Sequence, residues 1–250
     1  MHLILTGATG LCGSGVLDAM IKMPEVTKIS IISRRPVRMA EDAKDPRINV
    51  ILHKDFEKYD SGLLDQLKGA RGVVWALGIS QTEVDAEQYV KITKDFTLRA
   101  AEAFQSLGSE AQPFNFVYVS ALGASLQPGR FTPIFARVKG ETETALAEMR
   151  KANPAFRSSS IRPAGIDATF HDAIKPYLPA PGLVNRLLLP LSRMLSASIS
   201  SPTEPLGRFM TEMAMGKWDA KYSGAGVARL GQFPVLENTA FRRLAGLDAK

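Results

Sequence analysis

Three glycines stand three residues apart near the start of the chain, in Leu3-Ile4-Leu5-Thr6-Gly7-Ala8-Thr9-Gly10-Leu11-Cys12-Gly13, between a short apolar run and an amphipathic segment. The apolar run reads as a strand and the segment after it as a helix, so the glycines occupy a strand-to-helix turn. At such a turn Gly7 permits the sharp reversal, Gly10 leaves bare backbone for the approach of a phosphate, and Gly13 lets the helix lie close to the strand. The helix N-terminus adds unpaired amide donors and the positive end of its dipole. A βαβ unit that holds a dinucleotide through Gly7, Ala8, Thr9, Gly10, Leu11, Cys12 and Gly13 is therefore expected.

Short β-branched runs then alternate with longer amphipathic segments to about position 162, the pattern of βα units around a parallel sheet. Strands are expected at 3–6, 28–33, 49–53, 72–75, 115–120 and 157–161, and helices at 12–22, 62–68, 87–107 and 134–151. The fold class is α/β, a Rossmann-like doubly wound parallel sheet buried on both faces. After Pro163 the alternation weakens, and prolines at 176, 179, 181, 190, 202, 205 and 234 suggest loops with short helices. Residues 1–250 read as a single domain, with a small, mostly helical substrate-side region over about 164–250.

Composition narrows the function classes. Hydrophobic residues make up 45% and charged residues 22%, the balance of a chain that folds. The net charge of +6 and the pI near 9.5 come from cations scattered among acids, with no basic run, so no nucleic-acid partner is expected. Cys12 is the single cysteine, and His2, His53 and His171 lack metal-ligand spacing, so no metal site is expected. No apolar stretch reaches the length of a membrane span. The most lipid-like piece, 182–198 with leucines at 187, 188, 189, 191 and 195, is broken by Arg186, Pro190 and Arg193. It reads as a buried or substrate-covering helix, with peripheral membrane contact as the alternative.

The second strand ends Ile31-Ile32-Ser33-Arg34-Arg35-Pro36. An acid at this strand end would accept hydrogen bonds from a ribose 2′-hydroxyl, whereas Arg34 and Arg35 suit a 2′-phosphate. NADP(H) is thus favoured over NAD(H). Asp55, after the third strand, is placed to reach the adenine amine, or else to form a turn. Leu77 and Gly78 follow the fourth strand and Pro163 the sixth, positions where backbone lies against the cofactor. Cys12 sits in the first helical turn, where the dipole lowers a thiol's pKa, yet it reads as a small apolar filler.

With these residues in view, the chain resembles the atypical short-chain dehydrogenase/reductase family, in the branch of the Tat-interacting protein and its fungal mitochondrial relative. The resemblance rests on the glycine loop, Ser33-Arg34-Arg35, Asp55-Phe-Glu-Lys58, Ala76-Leu77-Gly78, Tyr89-Val-Lys91, Asn115-Phe-Val-Tyr-Val-Ser120, Val138-Lys139-Gly140-Glu141 and Arg162-Pro163. It implies a Rossmann-like fold and bound NADPH. It also implies a Tyr-x-x-x-Lys pair in which lysine lowers the tyrosine's pKa while a serine orients the carbonyl. The matching segment here is Phe135-Ala-Arg-Val-Lys139. Lys139 is left to hold the nicotinamide ribose, and Ser120, with Ser125 as competitor, matches the serine. The tyrosines at 59, 89, 118, 177 and 222 have no lysine four residues on.

The reading is an NADP(H)-binding protein of this kind, acting as a redox-responsive regulator with a protein or small-molecule partner. One alternative is an active NADPH-dependent oxidoreductase or epimerase that recruits Tyr118, Tyr177 or His171 as acid. Another is a peripheral membrane-associated scaffold using 187–195. The expected location is cytoplasmic, with the mitochondrial outer surface as the alternative.

Overall fold

Successive residues of each early strand point to opposite faces of the sheet, and here both sets are apolar, which forces helices onto both sides. The computed structural model describes residues 1–178 and 199–248. Strands β1 (His2–Thr6), β2 (Lys28–Ser33), β3 (Ile48–Leu52), β4 (Ala70–Trp75), β5 (Phe114–Val119) and β6 (Phe156–Arg162) match the six expected strands to within two residues at either end. The helices are α1 (Leu11–Lys22), α2 (Arg38–Ala43), α3 (Ser61–Leu67), α4 (Ala86–Val90), α5 (Phe96–Phe104) and α6 (Ile134–Ala152). The helix expected over 87–107 is interrupted by a π-helical turn at Lys91–Asp95, and α2 has no counterpart in the sequence reading.

Leu3, Leu5, Ile29, Ile31, Val74 and Val117 face one layer, built on Val16, Leu17 and Met20 of α1. Ile4, Val73, Trp75, Phe116 and Tyr118 face the other, under α3, α5 and α6. The strand order is β3-β2-β1-β4-β5-β6-β10-β9, where β9 is Val227–Leu230 and β10 is Phe233–Glu237. All neighbours run parallel except β9 and β10. Strand order reverses between β1 and β4, and in such sheets ligands bind in the crevice outside the carboxyl ends at that point.

The C-terminal part contributes more strand than its prolines suggest. β10 extends the main sheet beside β6, and β7 (Gly165–Asp167) pairs with β8 (Ser200–Pro202) in a two-stranded ribbon. Helices α7 (Thr203–Ala214) and α8 (Asn238–Leu244) complete the described residues. The 182–198 segment lies outside them.

Two features fix the helices that flank the crevice. On one side α1 and α7 cross closely at two glycines; a Cβ on Gly207 would stand 2.2 Å from the Gly15 carbonyl oxygen, and one on Gly15 would stand 2.9 Å from the Thr203 carbonyl oxygen. On the other, Glu143 of α6 is wholly buried and grips Arg162 of β6: Nε donates to Oε1 at 3.0 Å and Nη2 to Oε2. Ser160 adds a hydrogen bond to Glu143 at 2.7 Å, and Arg162 Nη1 reaches Glu237 of β10 at 2.8 Å. A buried charge needs this degree of pairing to be tolerated.

Gly207→Ala should force the two helices apart and cost about 1–3 kcal/mol of folding stability. Urea unfolding of the variant beside the parent checks this, and equal midpoints would contradict the tight crossing.

Candidate functional site

The β1–α1 turn separates the three glycines by physical role. Gly7 has φ +69°, and a Cβ there would stand 2.2 Å from the Ala76 carbonyl oxygen. A Cβ on Gly13 would stand 2.0 Å from the Gly7 carbonyl oxygen. Both are required by the fold itself. Gly10 is different: its φ of −95° is open to any residue, and a Cβ would meet only the Gly7 carbonyl oxygen at 3.3 Å. Its N–H donates to that same oxygen at 2.9 Å, and Ser14 Oγ donates to the Gly10 carbonyl at 2.9 Å. The fold makes no strong demand for a bare Cα at Gly10, which leaves the space outside the loop as its use.

Next to this turn lies a cleft of about 350 Å3 lined by Gly7, Thr9, Ser33, Arg34, Arg35 and Phe56, together with Ile32 and Leu77. Ser33 Oγ donates to the Arg35 carbonyl at 2.7 Å and accepts from its N–H at 3.3 Å, which shapes the turn after β2. Arg35 Nη2 donates to Thr9 Oγ1 at 3.1 Å, laying a guanidinium across the glycine loop. Leu77 is held beside the loop by its N–H bond to Thr6 Oγ1 at 3.3 Å. Asp55 forms a turn, accepting from the Glu57 N–H at 3.1 Å, and its neighbour Phe56 lines the cleft. Gly78 is exposed with open space around its Cα. Bare backbone, amide donors at a helix start and two arginines fit the phosphates of a dinucleotide.

The other half of the crevice is built from β5 and α6. Ser120 follows β5 and is only 4% exposed; its N–H donates to the Ile161 carbonyl at 2.8 Å. Its hydroxyl has no hydrogen-bond partner among the described residues. Lys139 Nζ donates to the Val119 carbonyl at 3.1 Å and lies 5.4 Å from the Tyr118 ring centroid. Burial pulls this ammonium down to about 8, against the opposing pull of the Cys12 sulfur and Glu143. Phe135 stands one helical turn before Lys139, and its N–H donates to Gln81 Oε1 at 3.2 Å. Gly140 admits the β5–α6 loop, since a Cβ there would stand 1.8 Å from the Ser125 carbonyl oxygen. Pro163 accepts the Leu122 N–H at 2.9 Å and closes the far side.

One electrostatic expectation is reversed. Burial pushes the Cys12 thiol up to about 12, and Lys139 offsets this only in part. Desolvation thus outweighs the helix dipole that sequence position alone suggests.

The groups considered as alternative acids lie in different surroundings. Tyr118 lies in the aromatic core, 1% exposed, and burial raises its hydroxyl's pKa. Tyr177 stacks under Arg38, whose guanidinium carbon is 5.8 Å from the ring centroid. His171 is buried between Thr203 Oγ1 and Asp18 Oδ2, each at 2.9 Å, and ties the 165–178 segment to α1 and α7. This cluster, with Glu204 near it, escapes sequence spacing because its members come from three distant stretches. The one signal is Asp18, a carboxylate on the apolar face of α1. Lys22 supplies a cation there, 2.7 Å from Asp18 and 3.6 Å from Glu204.

Lys139 carries a pH signature. Its folded pKa near 8 lies below the ordinary 10.5, so between those values the unfolded chain binds a proton the folded chain has lost. The buried charge therefore weighs on stability in full below pH 8, and stability gains as pH rises through the window. Lys139→Met should melt higher than the parent at pH 7 and lose that advantage toward pH 10.5, as a series of thermal melts across pH will register.

Comparison with known proteins agrees with this arrangement. No family model matches the chain. Botcinic acid biosynthesis cluster B protein 16 of Botryotinia fuckeliana is 42% identical over 156 residues, 60% of this chain and 99% of that protein. Leucinostatins biosynthesis cluster protein T of Purpureocillium lilacinum is 36% identical over 238 residues, 86% of this chain and 85% of that one. Protein fmp52, mitochondrial, of Emericella nidulans is 29% identical over 143 residues, 57% of this chain and 58% of its own. Protein HTATIP2 of Rattus norvegicus is 25% identical over 146 residues, 58% and 56% of the respective chains. Among solved structures, the dTDP-glucose 4,6-dehydratase DesIV of Streptomyces venezuelae, with NAD and TYD bound, superposes with a TM-score of 0.63 at 17% identity, covering 99% of this chain and 80% of that one. A glycine loop over a bare crevice, a lysine on α6 facing the end of β5, and these relatives together place the chain in the atypical short-chain dehydrogenase/reductase family, whose fold is Rossmann-like and whose character is NAD(P)-binding and oxidoreductase-like.

Proposed function

We propose that the chain binds NADP(H) in preference to NAD(H) and acts as one unit, a redox-responsive regulator with little classical carbonyl turnover. The observation that carries the nucleotide preference is Arg35, held across the glycine loop by Thr9, beside Arg34 and with no carboxylate at the end of β2. Two guanidinium groups there favour a 2′-phosphate that NAD(H) lacks. In this reading Gly7, Ala8, Thr9, Gly10, Leu11, Cys12 and Gly13 hold the pyrophosphate. Asp55, Leu77, Gly78 and Pro163 border the rest of the nucleotide, and Lys139 holds the nicotinamide ribose.

Low turnover follows from Phe135. The nucleotide, when bound, supplies hydride chemistry; the chain must supply a proton to the oxygen of a reduced carbonyl. A phenyl ring carries no titratable proton, so Lys139 has no hydroxyl at position 135 to activate. A second reading, active oxidoreductase or epimerase, is favoured by the unpartnered Ser120 hydroxyl beside Lys139, two groups that suit a carbonyl substrate.

The mitochondrial label on the fmp52 relatives supports the mitochondrial alternative for location over the cytoplasm. Among the described residues no helix is long and apolar enough to cross a membrane.

Calorimetric titration tests the cofactor reading. NADPH should bind more tightly than NADH. Arg34→Ala/Arg35→Ala should weaken NADPH alone by about tenfold to a hundredfold, the equivalent of one charge-assisted hydrogen bond of about 1.5–3 kcal/mol. Gly10→Asp should abolish binding of both while leaving the melting temperature near that of the parent, because a Cβ there meets only the Gly7 carbonyl oxygen, at 3.3 Å, and the φ of −95° suits any residue. Equal NADH and NADPH affinities in the parent would remove the preference.

Turnover separates the two readings. With a panel of aldehydes and ketones, the parent should oxidise NADPH no faster than buffer, and Phe135→Tyr should introduce measurable oxidation. Steady oxidation by the parent would instead select the active reductase.

A further inference from the structure

Helix α1 presents Gly15, Asp18 and Lys22 on one face, spaced by three and four residues. The bare Gly15 lets the start of α7 sit against that face, since a Cβ there would stand 2.9 Å from the Thr203 carbonyl oxygen. Glu204, in the first turn of α7, is thereby carried to Asp18. His171, just before the short turn Asp172–Tyr177, closes the group from a third direction. One ligand atom each from Asp18, His171 and Glu204 lie within 4.8 Å of one another. Bonds of about 2.0–2.1 Å at tetrahedral angles set the ligand atoms of a zinc ion about 3.3 Å apart, so small side-chain adjustments bring these three to that spacing.

Two further features mark this as a place for a cation. Lys22 already puts one there: its ammonium is 2.7 Å from Asp18 Oδ2 and 3.6 Å from Glu204 Oε1. One lysine against two carboxylates leaves a negative charge, whereas a dication in the place of the ammonium brings the two carboxylates to neutrality. The Lys22 side chain is 53% exposed, free to swing into solvent. The second feature is Thr203. Its hydroxyl lies 2.9 Å from His171 Nδ1, while Nε2 faces Asp18 Oδ2 at 2.9 Å. A hydroxyl both donates and accepts, so when Nδ1 carries the proton Thr203 accepts it and the Nε2 lone pair is left for a metal. Metal-ligating histidines are oriented in this way through their other nitrogen. Space for a further ligand adjoins the group. A cavity of about 880 Å3 is lined in part by Asp18, Lys22 and Glu204, and one of about 330 Å3 by His171, Thr203 and Glu204.

We propose that Asp18, His171 and Glu204 bind Zn2+, with a water from the larger cavity as fourth ligand and Thr203 as the residue that orients the imidazole. One imidazole nitrogen with two carboxylate oxygens suits zinc better than calcium or magnesium, which take oxygen ligands. The ion ties the 165–178 segment to α1 and α7. Asp18 lies two helical turns beyond Leu11, so the site is separate from the glycine loop and does not rest on the nucleotide reading. Spacing along the chain gives no hint of it, because the three ligands meet only in the fold.

The test titrates Co2+ into the full chain, carried without a polyhistidine tag. Co2+ takes the place of zinc and absorbs strongly in the visible only when four- or five-coordinate. One equivalent should give a saturating band that Zn2+ then bleaches. Glu204→Gln and Thr203→Val should each weaken Co2+ binding by about tenfold to a hundredfold, and His171→Gln should abolish the band. Lys22→Met removes the competing ammonium and should tighten binding. His53→Gln should change nothing. Glu204 and Lys22 are exposed, so their variants decide the matter even where substitution of the buried histidine unfolds the chain. No band in the parent, unchanged affinity in Glu204→Gln, unchanged or weaker affinity in Lys22→Met, or loss of the band in His53→Gln would each overturn the site.

Discussion

The contact between Gly13 and the carbonyl of Gly7 governs the rest of the crevice. With no room for a single methyl group between them, α1 must start directly at the end of β1, and its amide donors open where the strand order reverses. A larger residue at either position would lift the helix away from the strand, widening the gap into which a phosphate must fit. The same closeness carries Thr9 within reach of Arg35, so the shape of the loop and the position of its charge have one cause. On the far side, the Glu143–Arg162 pair plays a comparable part for α6, holding the helix that bears Phe135 and Lys139 at a set height above β5.

The parallel sheet was legible because its inner strands are buried on both faces and read as short apolar runs, such as Leu3-Ile4-Leu5. The glycine loop was legible because its spacing has a local cause, a turn and a helix start within seven residues. The C-terminal strands were not. Pro234 lies inside β10, paired antiparallel with Arg229, and a proline in a short run argues against a strand unless it sits toward a weak partner. Helix α2 is six residues long, too brief for apolar periodicity to declare itself.

Within the site, Gly7, Thr9, Arg34, Arg35 and Leu77, recognised by position along the chain, line one cleft, while contacts made across the chain stayed hidden. Gln81 touches Phe135, and Asp18 touches His171, through side chains that only the folded backbone brings together. Cys12 shows the other limit. Its place in a helical turn predicts a lowered pKa, but the value is decided by desolvation, and burial is a property of the packed molecule. Local electrostatic rules read from sequence hold only while the surroundings stay wet.

The late arrival of β10 has a bearing on how the molecule is made. β6 is complete well before the C-terminal segment that will flank it is synthesised, and until then its outer edge is a row of unpaired amides and carbonyls. Arg162, at the end of that edge, has Glu143 but still lacks Glu237. A nascent chain at this stage presents an open strand edge, a species prone to pair with another copy or to recruit a chaperone. The last strand therefore acts as a quality seal, and conditions that slow translation over the final stretch should favour aggregation even though the finished molecule is well packed.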